Sequence, residues 1–428
     1  MSNIAIAIVS EKSLAVEMIL AQSLRDDKHV LEFLKTYNIF AIYLDDELIV
    51  EKIIKSGKKS FFKKFFAKFF INSTFFSFPF FILKLVRKKS LAKKLIDFVR
   101  PDLIIFPHLG IGGVEDYFNY WSKQDKCNVP TVIIPYAWNP TAEIYTARKN
   151  YKLFAVGLFY KIFKFAMKRP WELEGVLFYP FYKILAIELV GSSVKDPWIG
   201  DNSADHILLE SPRMVNAFLK DKGAIVKTRI TGSISQDYVF QYSQEIKEAV
   251  EGPYIVFAVP PDQTGNQIPG FEFSNYKDLI VNWVRYVADQ KKFKVVLSIH
   301  PREQSIQNSL SSIEGVVIFK GDVLSLIPSC SLFICSITGL VRTTAMLKIK
   351  TIYYDCFHYN LMEYQDAKIV EYAFSFEHFK KIFSIFIQDH LESKNLQRIN
   401  SEIDSDWGFF DGKSSKRIMQ ELRILLQG

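Results

Sequence analysis

Lys294-Val-Val-Leu-Ser-Ile-His300-Pro301-Arg302-Glu303 is an apolar, β-branched run that ends abruptly at a His-Pro pair. Such a run predicts a buried strand of a parallel sheet. Pro301 has no N–H to offer a ladder, so the strand should stop there and turn toward a helix. An imidazole and a guanidinium (His300, Arg302) then leave the sheet at the strand's carboxyl end, both able to donate to phosphate or pyrimidine oxygens. One strand–helix unit later, Leu332-Phe-Ile-Cys-Ser336-Ile-Thr338-Gly339-Leu-Val-Arg342-Thr343-Thr344 repeats the layout. Here hydroxyls and a glycine open a helix, whose unpaired N–H groups and positive end suit an anion. Plain N-capping by Ser336 or Thr338 is the structural alternative. Ligands of open α/β sheets bind outside the carboxyl ends of the strands, where both segments fall.

Working outward, short apolar runs alternate with longer amphipathic ones. Strands are expected at 4–9, 39–44, 103–106, 131–134, 206–209, 228–231, 254–259, 294–299, 316–319, 332–335 and 351–354. Helices are expected at 14–23, 114–121, 212–220, 276–289, 323–327, 340–347, 376–388 and 415–426. The alternation breaks in the polar stretch 236–252 and restarts at Tyr254. The chain of 428 residues therefore reads as α/β, with two doubly wound, Rossmann-like domains and a cleft between them. The first spans 1–235 with a basic, aromatic insertion at about 55–94, residues 236–253 link, and the second spans 254–428 with the C-terminal helices. Hydrophobic residues at 49% and charged residues at 23% exclude a disordered or collagen-like chain. Cys127, Cys330, Cys335 and Cys356 form no CxxC pair, which argues against a disulfide framework or zinc site and for a reducing compartment. The opening Met1-Ser-Asn-Ile-Ala-Ile-Ala-Ile-Val9 lacks a basic region before its apolar run and reads as a first strand, not a signal peptide.

In the first half, Leu103-Ile-Ile-Phe-Pro107-His108-Leu-Gly110-Ile-Gly112-Gly113-Val-Glu115-Asp116 is a strand, a glycine-rich loop and a helix start, without the spacing of a dinucleotide fingerprint. Gly110, Gly112 and Gly113 would let a ligand approach the backbone. Glu115 or Asp116, ionised at a helix N-terminus, would accept a proton from an acceptor hydroxyl, or else simply stabilise the helix start. Asp45-Asp46-Glu47 is a rival source of a base. The loops Pro135-Tyr136-Ala-Trp138-Asn139 and Cys356-Phe-His358-Tyr359-Asn360 could line an acceptor or sugar pocket with rings and amides.

A strand ending in His-Pro and a later strand ending in a Ser-x-Thr helix start resemble the HP and S-S/T motifs of bacterial GT-B glycosyltransferases, in particular the sialyltransferase, polysialyltransferase and Kdo-transferase families. The resemblance implies that His300 and Pro301 contact a nucleotide and that Ser336 and Thr338 hold its phosphate, with Arg302, Gly339 and Gln263 beside them and His300 also assisting catalysis. The loop Phe257-Ala-Val-Pro-Pro-Asp262-Gln263 is similar to the donor-side loop opening the second domain, and 204–237 looks like the close of the first. Related nucleotide-sugar enzymes often place a Glu after the hydroxyl pair, where this chain has Arg342, Thr343 and Thr344. That departure sets against a UDP-sugar and favours a different phosphate grip, with Arg342 available, while the resemblance to the sialyltransferase and Kdo-transferase kind favours a CMP-sugar.

The formal net charge is +8, yet residues 55–94 hold twelve Lys or Arg and no acid, so the remainder is negative by four. Localised charge of this kind disfavours a nucleic-acid coat. Phe61, Phe62, Phe65, Phe66, Phe69 and Phe70 recur at helical spacing opposite Lys63, Lys64 and Lys68, the pattern of a helix lying on an anionic membrane surface. A second aromatic and basic run, 158–171, could extend the same face.

Together these features imply a metal-independent glycosyltransferase of capsule or lipopolysaccharide synthesis, cytoplasmic and peripheral on the inner face of the membrane. It would use a nucleotide-sugar as co-substrate, with no other cofactor, and a glycan or lipid-linked acceptor. The alternatives are a UDP-GlcNAc 2-epimerase-like isomerase, a CDP-glycerol-type phosphotransferase, or a silent assembly or export protein.

Overall fold

The computed structural model describes residues 6–10, 15–21, 40–44, 74–124, 127–135, 141–149, 151–198, 203–216, 227–244, 250, 252–264, 270–360, 362–392 and 404–427. The Phe61–Phe70 tract, Asp45-Asp46-Glu47 and Asn139 lie outside these residues.

The first half builds a seven-stranded sheet from β1 (Ile6–Ser10), β2 (Ala15–Ala21), β3 (Phe40–Leu44), β4 (Leu103–Phe106), β5 (Thr131–Ile133), β8 (His206–Leu209) and β9 (Thr228–Ile230), in the order β3-β2-β1-β4-β5-β8-β9. β6 (Glu172–Leu173) and β7 (Val176–Leu177) form a separate small hairpin. The sheet departs from the expectation in two ways. Residues 14–23, expected as a helix, contain the strand β2, and β1 runs antiparallel to both β2 and β4, so the sheet is mixed and not wholly parallel. Ala15-Val-Glu-Met-Ile-Leu-Ala21 is too short for its periodicity to separate helix from strand, and pairing with β1 on one edge and β3 on the other settles it.

Around this sheet lie α1 (Thr74–Val99), α2 (Val114–Ser122), α3 (Thr141–Lys149), α4 (Leu158–Phe163) and α5 (Phe181–Val190). The helix α1 joins the end of the apolar run to the lysine-rich segment and buries Leu85, Ala92 and Ile96, one stripe at helical spacing. Among the described residues no helix is long and apolar enough to cross a membrane.

After α6 (Ile234–Gln244) comes a six-stranded sheet of β10 (Tyr254–Val259), β11 (Lys294–Ile299), β12 (Val316–Ile318), β13 (Leu332–Cys335), β14 (Thr351–Tyr354) and β15 (Val370–Ala373). Its order is β12-β11-β10-β13-β14-β15 and every adjacent pair is parallel. The connecting helices are α7 (Tyr276–Asp289), α8 (Gln307–Ser311), α9 (Leu340–Met346) and α10 (Phe376–Glu392). Asn275 caps α7 by accepting from Asp278 N at 2.9 Å, and Leu279, Ile280, Trp283, Val284 and Val287 form its buried face. Trp283 is fully buried with its ring edge-on to Phe257, Tyr354 and Phe379 at 4.5–5.6 Å, which pins the helix to β10 and β14.

The last helix, α11 (Ser414–Gln427), does not stay with the second sheet as expected. Ile418 and Leu422 pack against Leu103, Val132 and Leu208 of the first. An amphipathic stripe in sequence shows that a helix needs a partner and not which sheet supplies it.

Candidate active site

The strand order of the second sheet reverses between β10 and β13, and this switch point is where an open sheet leaves a crevice beyond its strand ends. The loops that follow β10, β11, β13 and β14 form one cross-linked rim around it. Asp262 N donates to Glu303 Oε1 at 3.0 Å, tying the β10 loop to the β11 loop. Tyr359 Oη donates to Gln263 Oε1 at 3.2 Å, and the Cys356 thiol donates to Ser336 Oγ at 3.4 Å, tying the β14 loop to the β10 and β13 ends. Thr264 donates twice to Asp262 and folds the β10 loop on itself.

On this rim His300 is half-buried and caps the 3₁₀ turn at 301–306. Its Nδ1 accepts from Arg302 N at 3.3 Å, which places the ring proton on Nε2 and leaves Nε2–H as the ring's donor for a ligand oxygen. Burial, and then the Arg302 guanidinium, hold its pKa below the ordinary imidazole value, against a smaller opposing pull from Glu303. Pro301 and Arg302 are exposed on the same turn. Thr338 is half-buried and its Oγ1 accepts from Leu340 N at 3.3 Å, while Gly339 is exposed at the start of the seven-residue α9.

Three residues expected here do something else. Ser336 is buried beneath Cys356, whose thiol is itself pushed up by burial, so that hydroxyl is turned inward. Arg342 reaches across to the first half, where its Nε lies 2.9 Å from Glu210 Oε1 and its Nη1 contacts Met214. Burial is the largest influence and opposes its charge, but Glu210, Tyr364 and Glu363 together exceed it and the net effect raises its pKa, so this guanidinium is a clasp between the halves and not a phosphate grip. Asp355, which the sequence left unremarked, is buried and accepts from Tyr359 N at 2.9 Å and Asn360 N at 2.7 Å. Burial raises its pKa against those two donors. The loop it closes holds His358 and Asn360 at φ +50° and +54°, a left-handed conformation that is costly for histidine, and His358 Nε2 has no hydrogen-bond partner among the described residues.

In the first half the strand end after β4 carries the glycine-rich loop. Asp116, expected as a general base, is fully buried and saturated. It accepts from Gly112 N at 2.8 Å, Ser192 Oγ at 2.6 Å, and Ser193 N and Oγ both at 2.7 Å. A carboxylate so occupied binds the loop at 192–194 to the start of α2. Gly112, at φ +72°, packs where a Cβ would press on Ile187, and a Cβ on Gly113 would collide with the Glu115 carboxylate. These two glycines serve internal packing, and only Gly110 has ordinary space around it.

Glu115 is buried and sets Oε1 3.6 Å from His108 Nε2, on a ring about a third exposed at the carboxyl end of β4. His108 was not singled out in the sequence. Its signal is the strand followed by Pro107-His108, a mirror of His300-Pro301. Among the described residues no group of three His, Cys, Asp or Glu side chains is placed to hold a metal ion.

No protein-family model matches the chain, and no curated protein matches it. Solved structures do. The MnaA–UDP co-structure from S. aureus aligns over 94% of this chain and 87% of its own, at 12% identity and a TM-score of 0.50. The UDP-GlcNAc 2-epimerase of Methanocaldococcus jannaschii in complex with UDP-GlcNAc and UDP aligns over 92% and 95%, at 12% identity and a TM-score of 0.46. The wall teichoic acid polymerase TagF aligns over 72% and 70%, at 13% identity and a TM-score of 0.38. At such identities the likeness is one of fold, the two-sheet α/β architecture called GT-B.

Proposed function

We propose that this chain is a glycosyltransferase that moves a sugar from a nucleotide-activated donor to a glycan or lipid-linked acceptor in bacterial surface-polysaccharide synthesis. What carries the reading is the rim at the switch point of the second sheet, where a neutral, Nε2-protonated His300 stands beside an exposed Arg302. The nucleotide phosphate lies against these groups and the Thr338–Gly339 turn. The acceptor hydroxyl attacks the anomeric carbon, its proton passes to the His108 ring, and the bond from that carbon to the phosphate oxygen breaks. The buried Glu115 stabilises the imidazolium so formed, and His300 and Arg302 stabilise the departing phosphate. No metal or further cofactor has a part in this scheme.

The resemblance of the His-Pro and Ser-x-Thr segments favours a CMP-sugar. A second reading, an isomerase acting on a UDP-sugar, is favoured by the UDP held in the MnaA structure, which aligns over 94% of the chain. A thermal-shift series with CMP, CDP, UDP and GDP separates them. A shift with CMP that falls by about tenfold in affinity in His300→Ala is expected for the transferase, in line with loss of a hydrogen bond to a charged group. A shift with UDP, together with interconversion of a UDP-sugar in the absence of any acceptor, selects the isomerase. No shift with any nucleotide overturns both.

A further inference from the structure

The segment 151–171 contains four exposed lysines and one partly buried arginine among its apolar residues, and no Asp or Glu. Its short helix α4 is anchored by one buried ring, Tyr160, while the neighbouring side chains face outward. Leu158 is 71% exposed, Phe159 67%, Ile162 58% and Phe165 89%. Rings so displayed are not loose. Phe159 and Phe163 both lie against Phe181 at the start of α5, at centroid distances of 6.5 and 6.2 Å. Arg169 fixes the far end by donating to the Val194 and Ser192 carbonyls and pairing with Glu188 at 3.0 Å. The helix α5 runs beside α1, with Phe81 against Tyr182 and Lys89 Nζ donating to Val190 O at 2.7 Å. Between these two helices an open groove of about 500 Å³ is lined by Ile82, Val86, Leu189 and Trp121.

We propose that Leu158–Phe165 is a membrane-docking element, which seats its aromatic and aliphatic side chains at the acyl boundary of an anionic bilayer while Lys161, Lys164 and Lys168 pair with lipid phosphate. The choice of occupant rests on charge. A protein partner or a second copy of the chain would be met by a rim of mixed sign, whereas every charge interleaved here is positive, as a surface of anionic headgroups requires. Apolar side chains this exposed are otherwise a liability in water. The element rests on the lipid-linked-acceptor part of the proposed function, which it deepens, and in sequence it lies well beyond the Phe61–Phe70 tract.

Flotation of the full chain with vesicles tests it, using phosphatidylcholine alone and phosphatidylcholine with added phosphatidylglycerol. The wild type should float with the anionic vesicles and much less with the neutral ones. The triple variant Phe159→Ser, Phe163→Ser, Phe165→Ser should partition about tenfold more weakly or worse, with an unchanged melting temperature. A wild type that ignores anionic vesicles overturns the proposal. So does a triple variant that floats like the wild type, which would leave attachment to the tract at 61–70. If the variant instead breaks a dimer seen by ultracentrifugation and vesicles play no part, the patch covers a second copy and the proposal falls. The nucleotide shifts, measured without lipid, report on the donor chemistry independently, so failure of one leaves the other readable.

Discussion

Asp116 and Glu115 are adjacent in sequence and both almost wholly buried, yet their surroundings give them different work. Asp116 receives two backbone and two hydroxyl donors from Gly112, Ser192 and Ser193, so removing it takes the shared acceptor from four partly buried donors at once. The variant Asp116→Ala should lose about 3 kcal/mol or more of stability, the scale of several charge-assisted bonds broken at once. Glu115 instead faces an imidazole that is partly open to solvent. His108→Ala should therefore keep its nucleotide shift, while kcat falls by about 10²–10⁴. Glu115→Gln should lower kcat less, at unchanged KM, because it acts through the ring. Melting curves and transfer kinetics on the three variants separate these roles. An Asp116→Ala protein that melts normally and is merely inactive would return the base to that residue.

Among the elements, the carboxyl end of β8 and helix α9 are held together by an ion pair between chain halves, with the side chains of Arg342 and Glu210 14% and 15% exposed. Arg213 adds a pair with Asp366. Breaking a buried pair from one side leaves a charge without a partner, so Arg342→Ala or Glu210→Ala should cost about 3 kcal/mol or more. The double variant Arg342→Met, Glu210→Leu should recover much of that loss. Urea unfolding in a double-mutant cycle measures it, and additive single losses would mean the two side chains are not coupled. From sequence, helix 276–289 and strand 351–354 were legible to the residue, because a long amphipathic stripe and a β-branched run bounded by turn residues each admit one structure. Strand β2 was not, since a seven-residue run of six apolar residues and Glu17 fits either period and only pairing decides. The His300-Pro301 strand end was legible for the same local reason. The inward turn of Ser336, the occupation of Arg342 by Glu210 and the saturation of Asp116 were not, because each depends on a residue that is distant in sequence.

At the scale of the whole molecule, the chain returns to its first sheet at the end. Asp237, near the start of α6, is buried, and its carboxylate accepts from Ser414 N at 2.8 Å and from Ser415 N and Oγ both at 2.7 Å, which satisfies the first donors of α11 and complements its positive end. Arg417 Nε donates to Thr231 O at 2.8 Å, and Gln236 Nε2 donates to Trp407 O at 3.3 Å, while Trp407 itself belongs to the core of the second sheet. The closing segment thus bridges the two sheets, and α6, packed against it, is held by the same contacts. Loss of the Asp237 carboxylate should loosen this bridge before either sheet opens, because α11 is then held to the first sheet by its apolar stripe, Ile418 and Leu422 foremost, and by the Arg417 bond to Thr231 O and the Arg229–Glu421 pair at its surface. Asp237→Ala is expected to cost about 1–2 kcal/mol, the range of a lost helix cap, and hydrogen exchange should quicken at 414–427 while strands 254–259 and 332–335 keep their protection. Equal acceleration across all three segments would mean that the molecule opens as one unit and that the return of the C-terminal helix is no separate hinge.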